Sequence, residues 1–188
     1  MMSDDIERVC FSEDEIRTRV RELGAQITQD YRDAPETVYC VGILKGAAVF
    51  FTDLVRSIDH PIAFDFMLVS SYGETTVSSG QVKILKDLDF SIEGKHVIIV
   101  EDIIDSGTTM HYLKQMLMGR HPKSIRICAF LSKPSRRVTP VEINYLGYEV
   151  PDEFLVGYGL DYAEKYRNLP YIGVLRHSVY ESCGGGKH

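Results

Sequence analysis

Three carboxylic acids and three hydroxyl residues fall within nine positions of this chain: Glu101, Asp102, Asp105, Ser106, Thr108 and Thr109, with Gly107 among them. Directly ahead of them runs Val97-Ile98-Ile99-Val100, unbroken and apolar. Such a run reads as a strand covered on both faces, as in the centre of a parallel sheet. The acids would stand at its C-terminal edge, where open α/β sheets bind ligands. A short polar loop follows, and then a predicted helix from about Thr108 to Met118. A helix N-terminus offers unpaired N–H groups and partial positive charge, which suit a phosphate. Gly107 lets the backbone come close, and Ser106, Thr108 and Thr109 can add hydroxyl donors. The same residues also suit an ordinary helix cap, and the acid pair a solvated strand end, so spacing alone leaves these readings open. The Walker pattern G-x-x-x-x-G-K-[ST] does not occur.

The elements that must position this segment can be read in outline. Ser12-Glu13-Asp14-Glu15 is a capping box and predicts a helix to about Tyr31, with Ile16, Val20, Leu23 and Ile27 as its buried stripe. Val38 to Leu44 reads as a strand broken by Lys45-Gly46, and Ala47 to Ile58 as a helix. Ile62 to Val69 and Gln81 to Leu85 read as strands on either side of a polar stretch, Ser70 to Gly80, that is too long for a tight turn. His96 to Val100 is the strongest strand; Ile125 to Leu131, Phe154 to Tyr158 and Tyr171 to Leu175 are further candidates, and Lys133 to Asn144 is irregular. Strands alternating with helices indicate an α/β sheet. The tail Gly184-Gly185-Gly186-Lys187-His188 is expected to be disordered.

Composition sets the outer bounds. A chain of 188 residues is one domain at about 150 residues per domain. With 44% hydrophobic and 26% charged residues it is globular, which excludes collagen-like and low-complexity classes. The net charge of −6 disfavours broad nucleic-acid binding, which needs a basic face. Cys10, Cys40, Cys128 and Cys183 form no close pair, which excludes a zinc cluster. Cys40 and Cys128 lie in apolar runs and read as reduced core thiols of a reducing compartment. The N-terminus is acidic and has no apolar segment of a signal peptide, and no run is long enough to span a membrane. The expectation is a cytoplasmic protein with neither a membrane nor a nucleic-acid partner.

Val97-Ile98-Ile99-Val100-Glu101-Asp102-Ile103-Ile104-Asp105-Ser106-Gly107-Thr108-Thr109 resembles the ribose-5-phosphate-binding segment of the type I phosphoribosyltransferases, and fits the hypoxanthine-guanine branch. Four further segments fall in that family's order. Leu44-Lys45-Gly46-Ala47 resembles its pyrophosphate loop, and Ser70-Ser71-Tyr72-Gly73 the start of its mobile lid. Phe130-Leu131-Ser132-Lys133 resembles the strand end presenting a purine-reading lysine. Pro151 to Tyr162, with Arg167, resembles the hood that closes over the base. The likeness runs from about residue 10 to residue 177.

The resemblance implies a phosphoribosyltransferase type I fold: a central mostly parallel sheet flanked by helices, with a small hood. It implies one domain over 1–188, the core about 35–150 and the hood about 1–34 with 151–183. It implies transfer of the phosphoribosyl group of phosphoribosyl pyrophosphate to a 6-oxopurine base, with Mg²⁺ as cofactor, through an oxocarbenium-like transition state. Glu101 and Asp102 would address the ribose hydroxyls and the metal, and Asp161 a second metal position. Asp105 would be the general acid/base beside the purine, and Asp105, Ser106, Gly107, Thr108 and Thr109 would hold the 5′-phosphate. Lys133 would donate to the exocyclic oxygen and so reject a 6-amino base. Phe154 would stack on the purine, and Leu155 offer backbone groups to its edge. Lys45, Gly46 and Arg167 would bind pyrophosphate, and Ser71 and Tyr72 belong to the lid. In the family the Leu-Lys peptide can be cis, and members form homodimers or homotetramers. Leu155 stands where Val or Ile is expected, and Glu153 where some members carry Lys, which touches base preference. Xanthine preference on the same fold, or a non-catalytic nucleotide-binding regulator, are the competing readings.

Overall fold

A computed structural model describes residues 1–71 and 82–181. The strands and helices are β1 (Ile6–Phe11), α1 (Glu13–Asp30), β2 (Val38–Leu44), α2 (Ala48–Val55), β3 (Ile62–Ser71), β4 (Val82–Lys86) and β5 (His96–Ile104), then α3 (Thr108–Met118), β6 (Ser124–Ser132), β7 (Tyr145–Glu149), β8 (Leu155–Val156), β9 (Ile172–Leu175) and α4 (His177–Glu181). Six strands form the large sheet in the order β4-β3-β2-β5-β6-β7, and three form a small one in the order β1-β9-β8. In the large sheet only the β3–β4 pair is antiparallel. This is the α/β architecture expected, with a mostly parallel sheet.

The large sheet is apolar on both faces because both are covered. On one side Ile98, Val100, Cys40, Phe50, Phe51 and Phe130 pack with the buried stripe of α1. On the other, Val97, Ile99, Val41 and Ile127 pack with Met110, Leu113 and Leu117 of α3. Val97 through Val100 are fully buried, so β5 is the centre of the sheet by burial as well as by order. Cys40 and Cys128 are buried free thiols, and burial pushes the Cys40 thiol up to about 12. The α1 capping box forms: Ser12 Oγ accepts from Glu15 N, and Ser12 N donates to Glu15 Oε2 at 2.8 Å.

Several sequence expectations shift. Strand β5 runs to Ile104 rather than stopping at Val100, so Glu101 and Asp102 are strand residues, with Glu101 paired to Ala129 of β6. Helix α2 ends at Val55, not Ile58; Pro61 disfavours helical conformation just ahead of it, and Ser57 N already closes a turn onto Leu54 O. The candidate strand Phe154 to Tyr158 is reduced to Leu155–Val156, because Gly157 and Tyr158 both take positive φ. Strands β1 and β7 were not foreseen: neither has a continuous apolar run, and β7 contains Gly147. Residues 1–34, expected in the hood, divide: β1 joins the small sheet, whereas α1 packs on α2 and β7. The reason is the stripe of α1, which is shaped for the large core. Ser71 closes β3, while Tyr72 and the tail from residue 184 lie outside the described residues. Among the described residues, no helix is long and apolar enough to cross a membrane.

Candidate functional site

The C-terminal ends of β5 and β6 open onto two adjoining hollows. The first, about 230 Å³, is lined by Glu101, Asp105, Ser106, Gly107, Thr109 and Met110 among others. The second, about 240 Å³, is lined by Asp102, Asp105, Lys133, Phe154, Leu155 and Asp161, with Ile103 and Leu160. Asp105 and Ile103 belong to both. Residues from four chain segments, at 101–110, 133, 154–155 and 160–161, therefore converge on one cleft.

The first hollow is a cradle at the start of α3. Gly107 precedes the helix with φ +81°, a conformation that L side chains avoid. Ser106 Oγ accepts from Thr108 N at 3.3 Å, and Thr108 Oγ1 lies 3.3 Å from Thr139 Oγ1. The loop is held from outside by Val138 N and Thr139 N, which both donate to Ser106 O at 2.9 Å. Asp105 Oδ1 is buried and has no hydrogen-bond partner among the described residues. A buried acceptor left open beside a cavity marks where a ligand donor belongs.

Glu101 and Asp102 are partly buried neighbours. Burial first, then the adjacent Asp102 charge, raises the Glu101 carboxyl well above its usual range. Burial also raises Asp102. None of the ion pairs among the described residues involves Glu101, Asp102 or Asp105. Acids this crowded and uncompensated suit a bound cation. Among the described residues there is no cluster of three His, Cys, Asp or Glu side chains set to hold a metal by themselves. The donor set fits a hard ion such as Mg²⁺, which takes few protein ligands and keeps water or substrate oxygens for the rest.

The second hollow has a cationic floor and an aromatic wall. Lys133 is 7% exposed, its Nζ 3.6 Å from Asp152 Oδ1. Phe154 is backed by Tyr180 of α4, stacked at 5.3 Å and 25°, and Tyr162 meets it edge-on at 5.4 Å and 89°. Leu155 is buried in β8, paired with Val174.

The expected pyrophosphate residues stand apart from these hollows and reach them through contacts. The Leu44–Lys45 peptide is cis. Gly46 lies so close to the acid pair that a Cβ there would fall 1.7 Å from Asp102 Oδ2, so any side chain at 46 would displace the Asp102 carboxylate. Arg167 donates to Gly159 O at 2.8 Å and pairs with Asp161 Oδ1 at 2.8 Å. Asp161 also accepts from Glu164 N at 2.8 Å. Glu164 joins the two cations: it lies 3.2 Å from Lys45 Nζ and 3.6 Å from Arg167 Nη2. That bridge was not foreseen, and only the spacing Glu164-x-x-Arg167 hinted at it. The supports of Phe154, Tyr162 and Tyr180, were likewise unforeseen, as were Ile103 and Leu160 as lining. A larger cavity of about 530 Å³ lies between α1, α2 and residues 167–170, and shares Arg167 alone with the expected site.

The chain matches the family profile described as phosphoribosyl transferase domain over residues 12–163. It is 56% identical to the hypoxanthine-guanine phosphoribosyltransferase of Bacillus subtilis, over 97% of this chain and 100% of that protein. It is 51% identical to the protein of the same name from Streptococcus thermophilus, over 96% and 99%. The solved structure of a hypoxanthine phosphoribosyltransferase from Staphylococcus aureus superposes with TM-score 0.91 at 49% identity, covering 95% of this chain and 96% of that one.

Two outcomes are expected from this geometry. Glu101 holds its proton longer in the folded chain than in the unfolded one, so each proton lost above the unfolded value, about 4.5, opposes folding. Glu101→Gln, always neutral, should unfold at higher temperature than the parent when ligand-free, and the gap should widen as the pH rises above about 5. A gap that shrinks with rising pH refutes the assignment. Glu164→Gln should free Lys45 and Arg167 for an anion and lower the apparent Kd for pyrophosphate by about two- to fivefold, the range of an exposed ion pair. Weaker pyrophosphate binding in calorimetry would show that Glu164 assists instead of competing.

Proposed function

This chain belongs to the phosphoribosyl transferase family, and on that premise we propose that it is a purine-salvage enzyme that moves the 5-phosphoribosyl group of phosphoribosyl pyrophosphate to N9 of hypoxanthine or guanine. IMP or GMP and pyrophosphate are the products. One observation carries the reading: a carboxylate, Asp105, lies between a helix-terminal phosphate cradle and a hollow walled by Lys133 and Phe154.

Each residue has a task in that reaction. Ser106 to Thr109 and the free N–H groups of α3 seat the 5′-phosphate. Phe154 lies against one face of the purine, and Ile103 also lines the hollow. Lys133 donates to the exocyclic O6; being donor-only, it matches a 6-oxo and not a 6-amino group. The open Oδ1 of Asp105 accepts the proton that the base yields as its nitrogen attacks C1 of the ribose. Glu101 and Asp102 bind the ribose hydroxyls and face a sugar that gains positive charge as the C1–O bond breaks. Lys45, the Gly46 backbone and Arg167 take the leaving pyrophosphate, Arg167 through its fork. Glu101, Asp102 and Asp161 would hold Mg²⁺, which supplies charge neutralisation of the diphosphate. The small sheet acts as a hood within a single domain, and residues 71–72 begin a lid that keeps water from the cationic centre.

The same reading places the enzyme in the cytoplasm as a homodimer or homotetramer. Phe64 and Val49, exposed by 56% and 37% on β3 and α2, support a self-contact there.

A base-competition assay tests the proposal. Protein, Mg²⁺ and phosphoribosyl pyrophosphate with equal hypoxanthine, guanine, xanthine and adenine should give IMP and GMP without AMP. Dominant XMP would shift the reading to xanthine, and no nucleotide from folded protein would sink it. Asp105→Asn should lower kcat by about 10²–10⁴ with phosphoribosyl pyrophosphate still bound. Near-normal turnover would remove Asp105 from the chemistry.

A further inference from the structure

The phosphate cradle is short of positive charge. A phosphate monoester carries close to two negative charges at neutral pH, its second pKa being about 6. A helix N-terminus supplies about half a positive charge. Residues 105–109 include no lysine or arginine, and Glu101 and Asp105 line the same hollow. Hydroxyls and backbone N–H groups can bond the oxygens, but they do not balance that charge.

Arg137 approaches this loop from behind. Its Nη2 donates to Ser132 Oγ at 2.6 Å and to Ile104 O at 3.3 Å, which fixes the guanidinium at the junction of β5 and β6. A Cβ on Gly107 would lie 3.0 Å from Arg137 Cδ and 3.1 Å from its Nη1. The guanidinium thus rests against the cradle's glycine. Nη1 is buried and makes no hydrogen bond among the described residues. The two residues that follow extend the support: Val138 N and Thr139 N hold Ser106 O, and Thr139 Oγ1 reaches Thr108 Oγ1. An arginine serving only to tie two strand ends would have its buried donors satisfied. This one keeps a charged donor open against the seat of an anion.

We propose that Arg137 is a positioning residue of the 5′-phosphate seat: it braces the Ser106–Gly107 backbone and brings the positive charge that the loop itself lacks. This rests on the reading of residues 105–109 as that seat. Arginine suits the task because its planar fork can bond Ser132 and Ile104 with one nitrogen and leave another facing the loop. No local pattern in the sequence marks it, since it falls in the irregular run after Lys133.

The test separates the two anion seats. IMP carries the 5′-phosphate, whereas pyrophosphate belongs to Lys45 and Arg167 at the other side of the cleft. Both are titrated with Mg²⁺ into the full-length parent, Arg137→Met and Arg137→Lys, and melting temperatures are taken alongside. Arg137→Met should weaken IMP at least tenfold and change pyrophosphate less than twofold. Arg137→Lys, which keeps the charge and loses the fork, should recover most of the IMP affinity. Kinetically, KM for phosphoribosyl pyrophosphate should rise more than kcat falls. Equal IMP affinity in Arg137→Met and parent overturns the proposal. So does a lysine variant no better than methionine, or an equal loss of both ligands. A parent that binds pyrophosphate but not IMP would instead overturn the reading of the seat on which the proposal rests.

Discussion

Three carboxylates at the end of one buried strand are the constraint around which this molecule is arranged. β5 is covered on both faces, so its last residues leave the core still partly shielded from water. Putting Glu101, Asp102 and Asp105 there raises the pKa of the first two and leaves an oxygen of the third without a partner. Isolated buried charge is expensive, and it persists where ligands supply the compensation. The neighbouring features answer that excess. A helix begins at Thr108, Lys133 is nearly buried at the end of β6, Arg137 lies behind Gly107, and the Lys45 loop comes so near Asp102 that a side chain at position 46 would displace its carboxylate.

The second organising fact is that the site is a meeting of two sheets. The large sheet supplies acids, phosphate cradle and lysine from adjacent parallel strand ends, where the register of β5 against β6 places Ile104 beside Ser132. The small sheet supplies Phe154 and Leu155, and its loop carries Asp161, Glu164 and Arg167. The two share one core, in which Leu155, Ile172 and Val174 of the small sheet pack with Ile98, Val100 and Phe130 of the large one, and ion pairs such as Lys45–Glu164 add only exposed, individually weak links.

Much of this was legible in residue order. The α/β class, the capping box of α1, the central place of β5 and the start of α3 follow from apolar runs, cap chemistry and glycine. The cleft residues 101–109, 133, 154, 155 and 161 were named from their resemblance to a family, and they converge in space. What stayed hidden depends on contacts between distant segments. β1 and β7 are strands because neighbours pair with them, and their own patterns are weak. Glu164 bridges Lys45 across 119 positions of sequence. Arg137 gains its meaning from Gly107, thirty positions earlier, and Tyr180 from Phe154. α1 sits within the expected hood segment yet belongs to the large core, because a helix stripe follows the apolar surface it fits and not the segment boundaries around it.

The rings of Phe154, Tyr162 and Tyr180 form one pile drawn from three places in the chain, the last of them in the closing helix. α4 therefore works as a buttress: its Tyr180 backs Phe154, the ring that lines the hollow and on which a flat ligand would lie.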